Sequence, residues 1–176
     1  DATDVSLVKA QRVIDATRDL QPVAYTLHLD GRDLLGAQPC GERLARWQDQ
    51  ARRALEIACG WLDDPGLLCV ENIERWDPAA FAPVIDALPV SRTIDIGHLW
   101  LMGEDPLVRM AEWIDRARVI HLHGIAGRDH ASLVHVPAGE LRRVTGFLER
   151  KFDGVVTLEV FSQDDLMGSL AALRAA

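Results

Sequence analysis

The chain has 176 residues, 48% of them hydrophobic and 26% charged, which supports one domain with a real core and excludes a disordered or low-complexity protein. Its net charge of −8 argues against a general binder of duplex nucleic acid, which needs a basic surface, though it leaves room for a local basic patch. Three cysteines, Cys40, Cys59 and Cys69, without CxxC spacing exclude a disulfide framework and point to a reducing cytoplasm. No stretch approaches the roughly 18 apolar residues of a membrane span. The opening DATDVSLVKAQR has neither the basic nor the apolar region of a signal peptide, and it lacks Met. The expectation is a chain that begins partway through a gene product.

The elements alternate. Leu7, Ala10, Ile14 and Thr17, with Val13 beside them, repeat at helical spacing over residues 5–19, and Gln21-Pro22 ends that helix. Residues 23–29 form a short β-rich run. Over 41–59 one face carries Leu44, Trp47, Ala51, Leu55 and Ala58, the other Arg46, Arg53 and Glu56, and Gly60 is placed to stop the helix. The run 67–71 is almost wholly apolar, as a strand buried on both faces should be. Asp77-Pro78 and Asp105-Pro106 are helix starts, with a cap residue followed by proline. Residues 92–96, 118–122 and 154–160 read as strands. Pro137 opens a helix to about 150 with Leu141, Val144 and Leu148 inward, and 164–174 is a final helix.

One helix followed by five βα units implies a parallel sheet with right-handed crossovers. Neither GxGxxG nor GxxxxGK[ST] occurs, so Rossmann and P-loop nucleotide chemistry is excluded. The expected fold is α/β, a (β/α)8 barrel. That fold usually takes about 250 residues, so this single domain is expected to carry about the last five βα units, with three upstream units outside it. An open five-stranded sheet is the rival.

Each strand ends in a residue that can bind a metal: His28, Glu71, Asp95 with His98, His121 with His123, and Glu159. Parallel strands bring their C-terminal ends to one rim, so these residues are expected to converge. In Asp95-Ile96-Gly97-His98, Gly97 is expected to permit a tight exit and His98 to land on the following loop. Glu71 and Glu159 close apolar strands, where a carboxylate needs a metal or a basic partner; a salt bridge to an arginine is the plain alternative for each. His121 and His123 share one side of a strand, because side chains alternate with period two. Such imidazole pairs suit Zn²⁺, Mn²⁺ or Fe²⁺; one of the two suffices as ligand, leaving His123 to touch substrate. The loop Gly124–His130 adds Asp129 and His130 as further ligands and Arg128 as an anion contact. Arg32 in DGRD is a further substrate contact. Trp76 and Trp100 follow strand ends, where they would pack in the core or wall a pocket. Trp47, Trp61 and Trp113 read as packing residues, Cys69 as core, and His135 as structural or exposed. No GxSxG occurs, so no Ser-His-Asp arrangement is readable.

Together these residues resemble the xylose-isomerase-like TIM-barrel superfamily, which includes sugar isomerases and epimerases and the endonuclease IV branch of AP endonuclease family 2. In that superfamily a Glu ends one strand, D-x-x-H the next, a His the one after, and a Glu the last. The matching positions are Glu71, Asp95 with His98, His121 and Glu159, and His28 resembles the preceding strand-end His. Endonuclease-like members add Asp-x-His, whereas Asp129 and His130 are adjacent, which leaves a third ion open. YTLHLDG, CVENIE, IDIGHLWLMG and RVIHLHGIAGRDHASL are most similar to the cobamide-remodelling phosphodiesterase branch. The resemblance implies one to three divalent ions, Zn²⁺ or Mn²⁺, and a corrinoid or sugar as substrate.

The leading expectation is therefore a metal-dependent phosphodiester hydrolase acting on the nucleotide loop of a cobamide. Glu71, Glu159 and His98 would be its catalytic groups. A sugar isomerase or epimerase, with Glu71 and Glu159 as the acid/base pair, is the alternative. An AP endonuclease-like enzyme, or a non-catalytic metal- or corrinoid-binding protein, is a further one.

Overall fold

The computed structural model describes residues 4–31 and 41–176. Arg32 and Cys40 lie outside the described residues. The elements are α1 (Val5–Thr17), β1 (Tyr25–Leu27), α2 (Gly41–Cys59), β2 (Leu68–Glu71), α3 (Pro78–Asp86), β3 (Ser91–Asp95), α4 (Ile96–Leu101), α5 (Pro106–Trp113), β4 (Ala117–Leu122), α6 (Ala138–Lys151), β5 (Val155–Leu158) and α7 (Gln163–Ala175). The strands follow chain order in the sheet, β1-β2-β3-β4-β5. β1 pairs parallel with β2, and β4 pairs parallel with β5, Val119 opposite Val155 and Leu122 opposite Leu158. This is the expected helix followed by five βα units.

The contacts divide the chain into two compact units, one of residues up to Glu71 with Trp76–Arg92, the other of Asn72–Arg75 with Thr93–Ala176. In the first unit, Ile14 of α1, Leu55 of α2, Leu68 and Val70 of β2, and Phe81 and Val84 of α3 share a core. Trp47 meets Phe81 edge-on at 4.9 Å and donates its indole N–H to the Asp30 carbonyl at 2.8 Å. That bond satisfies the polar end of an otherwise buried aromatic. Asp77 caps α3 as its Asp-Pro start implies, accepting from the Ala79 amide at 2.9 Å. Of the predicted inner face of α1, only Ile14 is buried, and Val13 is exposed.

In the second unit, Ile94, Leu99, Met110, Ile120, Leu122, Leu141, Val144 and Leu148 form the core. The predicted inner face of α6 is the observed one. Asp105 caps α5 through the Leu107 amide at 3.0 Å. Two features differ from expectation. The segment after β3 is a helix, α4, so His98 stands in a first helical turn and not on a loop. And β5 is far less buried than β2: Val155 and Val156 are exposed, because β5 ends the strand order and has β4 as its one neighbour among the described residues.

That contrast sets an expected outcome for stability. Ile120→Ala, at a wholly buried position, should cost about 2–5 kcal/mol in a denaturant melt, through lost transfer energy and the cavity left behind. Val155→Ala should cost about 1 kcal/mol or less.

Candidate metal centre

Asp95 is the last residue of β3 and has no exposed surface. It sits there because it serves two local structures at once. Its Oδ1 accepts from the His98 amide at 2.7 Å, capping α4. Its backbone is gripped by Asn72, which accepts from the Asp95 amide at 2.8 Å and donates to the Asp95 carbonyl at 2.9 Å. The Asn72 side chain thus satisfies both polar groups of one buried peptide residue, as a neighbouring strand would.

The same cap aims His98. Its Nδ1 lies 2.9 Å from the Asn72 carbonyl, which can only accept, so Nδ1 carries a proton and Nε2 is turned to the other side. Nε2 faces the Asp129 carboxylate at 3.3 Å and that of Glu74 at 3.7 Å. His123 repeats the arrangement. Its Nδ1 lies 3.1 Å from the Gly124 carbonyl, and its Nε2 lies 3.1 Å from Asp95 Oδ1. His121, two residues earlier and on the same side of the chain, places Nδ1 2.7 Å from Glu159 Oε2 and 3.8 Å from Asp95 Oδ2.

Gly97 has a role the sequence did not disclose. A Cβ there would come within 2.0 Å of His123 Cε1, so the imidazole rests directly on the glycine backbone. Gly97 does not have a positive φ; what it provides is space for the ring.

Asp129 and His130 are adjacent, and side chains of adjacent residues ordinarily diverge. His130 has a φ of 53°, in the left-handed region, which turns its ring back. The ring stacks on His123 at 4.4 Å, with the planes 21° apart, while Phe161 lies on it at 4.7 Å. His130 Nδ1 is 3.2 Å from Asp129 Oδ2, and Nε2 is 3.6 Å from Glu159 Oε2.

Single ligand atoms of Asp95, His98, His123 and His130 therefore lie within 4.8 Å of one another, as do those of Glu74, His98 and Asp129. Whether these residues fit a cation is decided by their donors. Asp95 Oδ2 and His123 Nε2 are buried with no hydrogen-bond partner among the described residues. With its Nδ1 proton directed at Gly124, a neutral His123 would point its Nε2 lone pair at a carboxylate. That repulsion is removed by a proton or by a cation between them. Burial is the largest influence on His123 and disfavours its charge, but the Asp95 carboxylate, the Gly124 carbonyl and Asp129 together outweigh it, and the His123 pKa is raised above the ordinary imidazole value. The group is built to receive positive charge.

In the first unit Glu71, only 3% exposed, lies 3.0 Å from the Nε2 of His28, whose side chain is 55% exposed. The buried carboxylate thus has an imidazole partner, where an arginine was the plain alternative. Glu159, by contrast, is 29% exposed, because it follows the lightly covered β5. Trp100 packs against the core of the second unit, its indole nitrogen buried and without a hydrogen bond among the described residues. Arg128 is engaged by Asp165 at 2.6 Å. Trp47, Trp61, Trp76 and Trp113 all pack on apolar cores, and Cys69 is wholly buried. Asn72, Glu74 and Phe161 were not anticipated. Asn72 alone carried a signal, an amide side chain directly after a strand-end Glu.

The model of the xylose isomerase-like TIM barrel family matches residues 1–176. The chain belongs to that family. No curated protein matches it. Among solved structures, this family member is similar to 3-keto-D-glucoside 4-epimerase, YcjR, from E. coli. That match has a TM-score of 0.72 at 15% identity and covers 96% of this chain and 70% of the epimerase. Endonuclease IV from Thermus thermophilus superposes with a TM-score of 0.62 at 18% identity over 96% of this chain and 66% of its own. An L-ribulose 3-epimerase gives 0.55 at 15% identity over 97% of this chain and 62% of its own. The chain thus spans about two thirds of the length of these proteins, and at such identities the likeness is one of fold. The five βα units are those of a partial xylose isomerase-like TIM barrel.

Gly97→Ala tests the glycine contact. The methyl must displace the His123 ring, so the variant should lose about 1–3 kcal/mol in a denaturant melt and retain less metal by elemental analysis. A variant with unchanged stability and metal content would refute the contact.

Proposed function

We propose that this protein is a divalent-metal-dependent enzyme acting on a small hydroxylated substrate, with sugar isomerisation or epimerisation as its first reading. The observation that carries the metal is the buried Asp95 carboxylate, faced by imidazoles of His98, His121 and His123 at 3.1–3.8 Å. Asp95, His98, His123 and His130 would hold the ion, with His121, Glu159 and Asp129 beside them as further candidate ligands; in the first unit His28 and Glu71 are the candidate ligands. Zn²⁺ and Mn²⁺ are the ions these donors suit. A bound divalent ion supplies Lewis acidity to a carbonyl or phosphoryl oxygen.

The remaining work belongs to side chains. Glu71 and Glu159 are the proposed acid/base pair: one removes a proton from the carbon beside a carbonyl and the other returns one. A carboxylate has two oxygens, so each glutamate can ligate with one and exchange a proton with the other. His121, 2.7 Å from Glu159 Oε2, holds that carboxylate in orientation. The epimerases that share the fold set the substrate class to test first.

A phosphodiester hydrolase is the second reading, favoured by one observation. Beside the group of Asp95, His123 and His130, the carboxylates of Glu74 and Asp129 lie next to His98; with the one free nitrogen of His98 given to one ion, these two carboxylates remain for a second. Paired ions suit the charge of a transferring phosphoryl group. His98 would then border the reacting phosphate, and the nucleotide loop of a cobamide is the substrate that the sequence motifs suggest. Nicking of abasic DNA is a weaker form of this reading, since the net charge of −8 repels a polyanion. None of the described helices is long and apolar enough to cross a membrane.

The experiment assays the metal-loaded protein on ketoses in deuterated water and, in parallel, on cobamides and abasic duplex. Deuterium incorporated at a sugar stereocentre supports epimerisation, and release of a nucleoside-loop fragment supports hydrolysis. Glu71→Gln and Glu159→Gln should each lower kcat by about 10²–10⁴-fold. A protein that binds no metal, or binds it and turns over none of these substrates, defeats the enzymatic reading.

A further inference from the structure

The loop that carries Asp129 and His130 is tied to the start of α7. Arg128 donates through Nη2 to Asp165 Oδ2 at 2.6 Å. Its Nη1 lies 3.2 Å from the Asp129 carbonyl and 3.0 Å from the His130 carbonyl. The other oxygen of Asp165 accepts from the Ser132 amide at 3.1 Å. One carboxylate thus grips the chain on both sides of His130. Ser162 holds that carboxylate in turn, donating its hydroxyl at 2.6 Å and accepting the Asp165 amide at 3.1 Å. Between the two grips, Gly124 and Ala131 pair as an antiparallel bridge, and His130 takes its φ of 53°.

A left-handed histidine is a local cost, so surrounding contacts must hold it there. The guanidinium on two successive carbonyls and the carboxylate on the next amide are such contacts. Their product is the placement of the His130 ring against His123, within reach of Asp95 and His98. We propose that Asp165 and Arg128 are positioning residues for the metal centre, their ion pair fixing the left-handed turn that brings His130 to the ligand group. The inference rests on the reading of that group as a metal site. It gives Arg128 a task other than binding a substrate anion. It also gives α7 a place in the chemistry, although none of its side chains is a ligand.

The test is Zn²⁺ titration of the purified metal-free protein against a competing chelator, with the thermal midpoint of the metal-free form measured alongside. Asp165→Asn should weaken the affected ion by about 10–100-fold, the usual consequence of losing an outer partner of a ligand. His130→Ala should weaken the same ion, and the double variant should bind like His130→Ala alone. A merely structural role would add its loss in both backgrounds. Should Asp165→Asn fail to fold, Arg128→Met removes the same pair at a half-exposed side chain, and Arg128→Lys should partly restore binding. Wild-type affinity in both Asp165→Asn and Arg128→Met, or equal losses with and without His130, overturns this inference alone. A wild-type protein that binds no Zn²⁺ overturns the metal reading and this inference with it.

Discussion

A carboxylate with no solvent exposure at the end of a strand governs the second unit. Asp95 has a neighbour for each of its roles: Asn72 for its backbone, the His98 amide for Oδ1, and imidazoles on the remaining directions. Burying one charge in this way is costly unless positive charge is supplied nearby. His98 and His123 each turn Nδ1 to a backbone carbonyl, which aims Nε2 of both rings at carboxylates, Asp129 for His98 and Asp95 for His123. The local folds follow from this. The short α4 exists because Asp95 caps it, Gly97 is glycine because His123 lies on it, and His130 is left-handed because its ring must turn back.

The two units treat their acids differently, and burial is the reason. Glu71 ends a strand with every residue buried, and it is held by the imidazole of His28. Glu159 ends β5, the last strand in the order, and keeps more contact with solvent. His121 Nδ1, 2.7 Å away, gives the Glu159 carboxylate an oriented partner within its own unit.

Loop and helix share the work of shaping the centre. Asp129 and His130 come from one turn, and their convergence depends on contacts made two residues to either side, at Arg128 and Ser132. Phe161 covers the outer face of His130, and it lies on the segment leading into α7. The β4–α6 loop and the β5–α7 segment therefore act as one piece around the ring stack. The hydrogen bond from the Leu133 amide to Ser169 extends that contact into α7 itself.

Local patterns sufficed for most elements. Asp-Pro pairs mark the starts of α3 and α5, a β-rich run and an apolar run mark β1 and β2, and helical spacing marks α2 and α6, because these rules act within a few residues. The ligand types were legible too, since Asp95, His98, His121 and Glu159 stand at strand ends where polar side chains need a reason. What the sequence could not reveal depends on residues distant along the chain. Gly97 reads as a turn residue, but in the fold the His123 ring lies on it; His98 reads as a loop residue, but the Asp95 cap places it in a helix and the Asn72 carbonyl orients its ring. Asp129 and His130 read as further ligands whose adjacency leaves a third ion open, and only the fold shows the left-handed backbone that turns the His130 ring back. Composition and spacing determined which chemistry was available. Tertiary contact decided which atoms face each other, because the direction of a lone pair is set by the group that holds the opposite side of the ring.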